Sequence, residues 1–380
     1  MSEAAEREML YDTVRRFALE QIAPHVTDWD RAGEFPRELY HRAAELGLLG
    51  LGYPEELGGT PAAHGLRAAL WIALCRHGAS RGVLASLLSH NIGLPPVVAL
   101  GSEALKRQVV PEVLAGRKIA ALAITEPGGG SDVAALRTRA RRDGGDYVID
   151  GEKTFITSGM RADWLTVAVR TGEDRGASGI SLLLVPGSSA GLRRSRLDKM
   201  GWQCSDTAHL HFDAVRVPAS NLLGPEGQGF RAIMHNFNGE RFGIACAAQG
   251  FAQACYDEAL AWAQQRQAFG ATLNQHQVIR HKLVDMQQRI RGTQAWLDAV
   301  AARADGGDTG ADWVGEVCVL KNHATQTMQH CADAAVQILG GMGFMRGTVS
   351  ERIYREVKVL TIGGGTEEIM KELAARQWQI

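Results

Sequence analysis

The sequence predicts an α+β protein of three domains: a helical domain over residues 1–118, a small β-barrel-like domain over 119–228, and a helical, four-helix-bundle domain over 229–380. Three observations predict it. Apolar residues recur at helical spacing up to about residue 118, short β-type runs replace them to about residue 220, and the helical period then returns.

In the first domain Leu10, Val14 and Phe17 fall at i, i+4 and i+7, and Ala-Leu-rich stretches follow, with loops expected at Gly58-Gly59 and Pro95-Pro96. The second domain holds β-type runs at 119–125, 147–150, 164–169 and 180–185, with hairpin signals at Asp143-Gly144 and Asp150-Gly151. Beyond Pro218 and a glycine-rich turn at 224–229, Ile279, Leu283, Met286, Ile290 and Leu297 form one stripe of a long helix. A polar break at 305–312 sets off the next helix.

Composition narrows the function. With 45% hydrophobic and 22% charged residues the chain is an ordinary globular protein, and 41 basic against 42 acidic residues leave no field to gather nucleic acid. No apolar run approaches the roughly 20 residues of a membrane span, and the opening is too polar and acidic for a targeting peptide, so the expected location is cytoplasmic. The six cysteines show neither C-x-x-C nor zinc spacing, so reduced thiols and no metal are expected.

Four glycine- or charge-marked segments stand out. Thr125-Glu-Pro-Gly-Gly-Gly-Ser-Asp132 follows a strand and lets backbone approach something closely, though a plain turn reads the same way and the spacing is not that of a Rossmann or P-loop. Gly340-Gly341-Met342-Gly343 follows a helix, as a C-cap would. Trp262 to Gly270 closes a helix with Arg266, an aromatic and a glycine. Gly363-Gly-Gly-Thr-Glu-Glu368 opens a helix, where unpaired N–H groups suit a phosphate or carbonyl oxygen and where Thr366 also serves as an ordinary cap.

Together these segments resemble the acyl-CoA dehydrogenase family, and the resemblance runs from about Met9 to Arg376. It rests on residues 123–132, Gly151-Glu-Lys-Thr-Phe-Ile-Thr157, Met200-Gly-Trp-Gln-Cys-Ser-Asp-Thr207, Arg266-Gln-Ala-Phe-Gly270 and Gln337-Ile-Leu-Gly-Gly-Met-Gly343, in the family's order. The resemblance implies FAD as cofactor, with Leu122, Ile124 and Thr125 along the isoalloxazine edge and Phe155 and Thr157 over its other face. Gly130 and Ser131 then face the acyl-CoA substrate. Arg266, Phe269, Gln277, Gln337 and Gly341 match positions that hold the FAD diphosphate and adenine from a neighbouring subunit, and Thr366 and Glu368 match the remaining contacts. It also implies a dimer or a homotetramer built as a dimer of dimers, and an electron-transferring flavoprotein as electron acceptor.

The chemistry needs a carboxylate to take an α-proton while the β-hydrogen leaves as hydride. Many members carry it in a Tyr-Glu-Gly-Thr segment, but here that stretch is Gly363-Gly364-Gly365-Thr366. Either activity is lost or a carboxylate enters from elsewhere. Members acting on long or branched chains place it beside an arginine at the start of a C-terminal-domain helix, and Glu240-Arg241 matches, so Glu240 is the expected base. Gly364 retains its N–H as an oxyanion donor. Arg241 is expected to contact CoA or orient the loop, and Asn238 occupies a ligand-contact position. Rival readings are an acyl-CoA oxidase or flavin monooxygenase using dioxygen, and a non-catalytic acyl-CoA-binding homologue.

Overall fold

A computed structural model describes residues 3–172 and 176–380. The chain opens with α1 (Glu3–Gln21), α2 (Val26–Ala32), α3 (Glu38–Glu45), α4 (His64–Gly78), α5 (Arg81–Leu87), α6 (His90–Gly93), α7 (Pro95–Leu100) and α8 (Glu103–Leu114). Val14 and Phe17 are buried as their period requires. The Pro95-Pro96 pair does not make a loop; it starts α7, where the first residues of a helix have no intrahelical N–H bond to lose.

The middle domain contains β1 (Ala120–Ala123), β2 (Arg139–Asp143), β3 (Asp146–Thr157), β4 (Trp164–Arg170), β5 (Ile180–Pro186), β6 (Leu192–Arg196), β7 (Thr207–Pro218) and β8 (Leu222–Leu223). They form one sheet in the order β6-β7-β3-β2-β4-β5-β8, with β1 added parallel to β4. Asp143 and Asp146 pair across a two-residue glycine turn, the expected hairpin. The Asp150-Gly151 signal marks something else: Gly151 sits at φ 142° where β3 shifts register against β7, and a Cβ there would lie 2.7 Å from Thr138 Cα. It is a bulge within β3, made possible by the missing side chain.

The last domain comprises α9 (Gly229–Gln265), the hairpin β9 (Gln267–Ala268) and β10 (Ala271–Thr272), α10 (Gln277–Asp305), α11 (Ala311–Leu339), α12 (Gly341–Phe344), α13 (Val349–Leu360) and α14 (Glu367–Trp378). In α9, Ala245, Ala247, Ala248, Ala252 and Ala259 are buried with Phe242 and Phe251, a small-residue face that lets neighbouring helices approach. Gly250 shows how closely: a Cβ there would meet the Ile72 carbonyl of α4 at 2.5 Å. The other end of α9 is pressed on the sheet, since a Cβ on Gly229 would lie 2.7 Å from Ser181 of β5. One helix thus runs from the sheet domain to the far end of the bundle. Among the described residues no single helix is long and apolar enough to cross a membrane.

Candidate active site

Glu240 is not at a helix start. Because α9 begins at Gly229, Glu240 is three turns in, where Gly239 interrupts neither the helix nor its hydrogen bonding. Its Oε2 is sealed from solvent with no hydrogen-bond partner, and its Oε1 lies 3.9 Å from the position a Cβ on Gly364 would occupy. The two backbone positions that could supply a base therefore converge on one point. Burial raises the Glu240 carboxyl above the ordinary range, although Arg241, Arg81 and Lys321 each pull it back.

The glycine turn facing it is held by two buried cations. Gly364 and Gly365 both have left-handed φ, 69° and 112°. Arg241 Nε donates to the Gly364 carbonyl at 3.0 Å and Lys321 Nζ donates to the Gly365 carbonyl at 2.7 Å. Arg241, only 4% exposed, also donates from Nη1 to Asn238 Oδ1 at 3.0 Å. Asn238 meets Arg241 rather than open space. Desolvation pushes the Lys321 ammonium down to about 8. With its carbonyls tied back, the turn leaves the Gly364 N–H without a hydrogen bond among the described residues, beside Glu240. A carboxylate and an N–H donor at one point can take a proton from a carbon while stabilising charge on an adjacent oxygen.

Lys321 was not singled out from the sequence. Its signal is a lysine among the buried Val317, Leu320 and Ala324 of α11, where a cation needs an internal partner.

The residues expected along a flavin ring meet at the end of β1. Thr154 N–H donates to the Thr125 carbonyl at 2.8 Å, bringing the bulged end of β3 beside the strand end. Phe155 is 69% exposed at φ 61°, a conformation unfavourable for an aromatic residue, so the bulge projects its ring outward at a cost. Thr157 is half-buried and pairs with Thr207 in the sheet. Ile124 turns its side chain into the core, 6% exposed, and Leu122 packs against the same cluster.

Gly130 and Ser131 lie exposed in the following loop, and Cβ positions on Gly128 and Gly129 have nothing within 4 Å. That loop is anchored by a pair the sequence reading passed over. Lys153, fully buried, donates to the Ile124 carbonyl at 2.9 Å and to Glu126 Oε1 at 2.8 Å. Glu126 accepts in turn from the Arg137 and Thr138 N–H groups.

A third group lies elsewhere. Arg266 caps α9, Phe269 is 99% exposed at the tip of the β9–β10 turn, and Gln277 opens α10. Gln337 is exposed in the last turn of α11 and Gly341 starts α12. Because α9, α10 and α11 alternate in direction, all five occupy one end of the bundle. From Glu240 to Arg266 the helix rises about 39 Å at ~1.5 Å per residue, beyond the reach of one dinucleotide. Thr366 caps α14 by accepting from the Ile369 N–H at 3.3 Å, and Glu368 is exposed in its first turn. An exposed aromatic beside the end of β1, a glycine-rich loop and a helix start fit a flavin dinucleotide.

Residues 4–117, 121–215 and 227–379 match the acyl-CoA dehydrogenase N-terminal, middle and C-terminal domains. The long-chain specific acyl-CoA dehydrogenase of Sus scrofa mitochondria is 37% identical over 377 residues, 98% of this chain and 86% of that protein. A Mycobacterium smegmatis structure provisionally assigned as an acyl-CoA dehydrogenase superposes with TM-score 0.96 at 45% identity, covering 99% of this chain and 98% of that one. The Geobacillus kaustophilus acyl-CoA dehydrogenase gives 0.94 at 33%, covering 100% and 99%. The chain belongs to the acyl-CoA dehydrogenase family.

Burial of Glu240 has a stability cost with a definite sign. A carboxyl whose folded pKa is raised opposes folding once ionised, so its penalty is absent below the unfolded carboxylate range, grows as pH rises from there, and is complete above the folded pKa. Glu240→Gln removes the charge, so its thermal midpoint should exceed that of the parent at pH 8 and approach it at pH 5. Equal midpoints at pH 8 would show that the carboxylate is well solvated.

Proposed function

We propose that this protein dehydrogenates acyl-CoA thioesters at Cα–Cβ, with Glu240 as the base. The observation that carries the reading is the convergence of the Glu240 carboxylate, with Oε2 sealed from solvent and Oε1 3.9 Å from the Gly364 Cβ position, on a glycine turn that lacks a carboxylate. The Glu240 carboxylate takes the α-proton. The Gly364 N–H, aimed by Arg241 and Lys321, bonds the thioester oxygen as negative charge develops there. FAD, when bound, accepts the β-hydride, which leaves a trans-2-enoyl-CoA. Leu122, Ile124 and Thr125 would hold one edge of the flavin, and Phe155 and Thr157 would lie against a face. Gly130 and Ser131 meet the acyl-CoA.

Since Arg266, Phe269, Gln277, Gln337 and Gly341 lie too far along the bundle to touch the flavin beside Glu240, they complete a second subunit's site, and the enzyme works as a homotetramer, a dimer of dimers. An electron-transferring flavoprotein is the proposed oxidant of the reduced enzyme.

Anaerobic titration of the yellow holoenzyme with a panel of acyl-CoAs tests the reading. Loss of oxidised-flavin absorbance with at least one of them is expected; no loss with any would favour a non-catalytic binder. Peroxide formation in air as fast as reoxidation by an electron-transferring flavoprotein would move the oxidase reading ahead. Removing one charge-assisted contact to the FAD diphosphate should weaken cofactor binding by about 1.5–3 kcal/mol, so Arg266→Ala should purify with reduced flavin content by absorbance ratio. Full occupancy would remove Arg266 from the cofactor site.

A further inference from the structure

Arg81 is a buried cation whose side chain lacks a hydrogen-bond partner. The residue is 8% exposed, its Nε and Nη1 are sealed from solvent, and neither donates to any described residue. The carboxylate that takes its backbone N–H is otherwise engaged: Glu356 accepts the Arg81 backbone N–H at 2.9 Å through Oε2 and the Trp202 backbone N–H at 3.3 Å through Oε1. The guanidinium instead lies between two indoles, 5.7 Å from the Trp71 ring and 5.4 Å from the Trp202 ring. Trp202 Nε1 is a third buried donor without an acceptor, on a residue held at φ 57°.

This cluster adjoins the proposed base. A Cβ on Gly243 would lie 3.6 Å from Trp71 Cε2, and Gly243 stands one turn beyond Glu240 on the same face of α9. Ile244 next to it reaches to 2.9 Å of the Gly364 Cβ position. Arg81 and Glu240 also feel each other's charge, each favouring the ionised form of the other.

Two indole walls would suit a hydrocarbon chain, but unpaired donors would not. Buried donors are costly when unsatisfied and are rarely left so in a folded protein. A site lined by them rejects a ligand that brings no acceptor. We infer that Arg81 and Trp202 recognise an oxygen acceptor on the acyl group beyond its β-carbon, so that this enzyme prefers an oxygen-bearing acyl-CoA to a plain hydrocarbon one. The acceptor chemistry is shared by a terminal carboxylate and by a ketone or hydroxyl. The inference rests on the dehydrogenase reading proposed above.

Anaerobic flavin reduction by the holoenzyme separates these cases, using acyl-CoAs matched in length: unsubstituted, ω-carboxy, and oxo- or hydroxy-substituted. One oxygenated member should exceed its hydrocarbon counterpart in kcat/KM by on the order of 10–100-fold, as expected for a hydrogen bond to a charged group. Which arm wins identifies the oxygen. Arg81→Met should bring that ratio close to one, and Arg81→Lys, which keeps a cation but loses the planar fork, should lower it part of the way.

Hydrocarbon chains reacting at least as fast as every oxygenated partner would overturn the inference, as would an Arg81→Met variant that slows all members equally. If neither variant retains flavin, the wild-type panel decides alone. No bleaching by any acyl-CoA would overturn the dehydrogenase reading and this inference with it. Fast bleaching by hydrocarbon chains alone would sustain that reading and overturn only this one.

Discussion

Glu240→Gln should slow flavin reduction by acyl-CoA by roughly 10²–10⁴-fold, the usual loss when a general base is removed, with acyl-CoA binding largely retained. The amide keeps the shape of the side chain and removes the proton acceptor. Stopped-flow reduction at saturating substrate reads the effect directly, and an unchanged rate would sink the assignment of the base. Moving the carboxylate back is the complementary test. Glu240→Ala with Gly364→Glu should recover part of the activity, limited by the left-handed φ of 69° and by Ile244 Cδ1 only 2.9 Å from the new Cβ. Adding Ile244→Val should raise the recovery by clearing that contact.

The largest stability effect is expected at Lys153. Its side chain is fully buried and that of Glu126 is 10% exposed, so removing one partner strands the other charge. Lys153→Met should cost about 3–5 kcal/mol, read from the midpoint and slope of chemical unfolding. The double variant Lys153→Met with Glu126→Gln should be less destabilised than the two single effects added together. Additive losses would mean that the pair does not couple the loop to β3.

How much of this was legible from residues alone varies with the physics. The helical stripe Leu283, Met286, Ile290 and Leu297 is buried in α10, with Ile279 partly buried, and the apolar runs that became β3, β4 and β5 are central strands, whereas β1 pairs with β4 alone. In contrast, β2 (Arg-Ala-Arg-Arg-Asp) and β6 (Leu-Arg-Arg-Ser-Arg) are mostly exposed, so no apolar alternation announced them. Their pairing with β3 and β7 fixes them instead. Asp150-Gly151 looked like a hairpin because a bulge and a turn call for the same residue. Glu240 was reached only through the family resemblance, since a glutamate's depth in a helix depends on where that helix begins. Glu126 and Lys153 were both within quoted motifs, yet a pairing between separate motifs is a tertiary fact. Lys321 and Arg81 gave still less sign, because burial beside a partner from a distant segment decides their roles.

The 3.9 Å separation between the Glu240 carboxylate and the Gly364 Cβ position limits how such a site can change by descent. A chain carrying acids at both places would crowd two like charges into one desolvated spot, and one of them would hold a proton at neutral pH. Such a doubly acidic ancestor would still contain one ionised group at the reacting carbon. A lineage can therefore transfer the job from one segment to the other through a redundant intermediate, losing the older acid afterwards, without passing through an inactive enzyme.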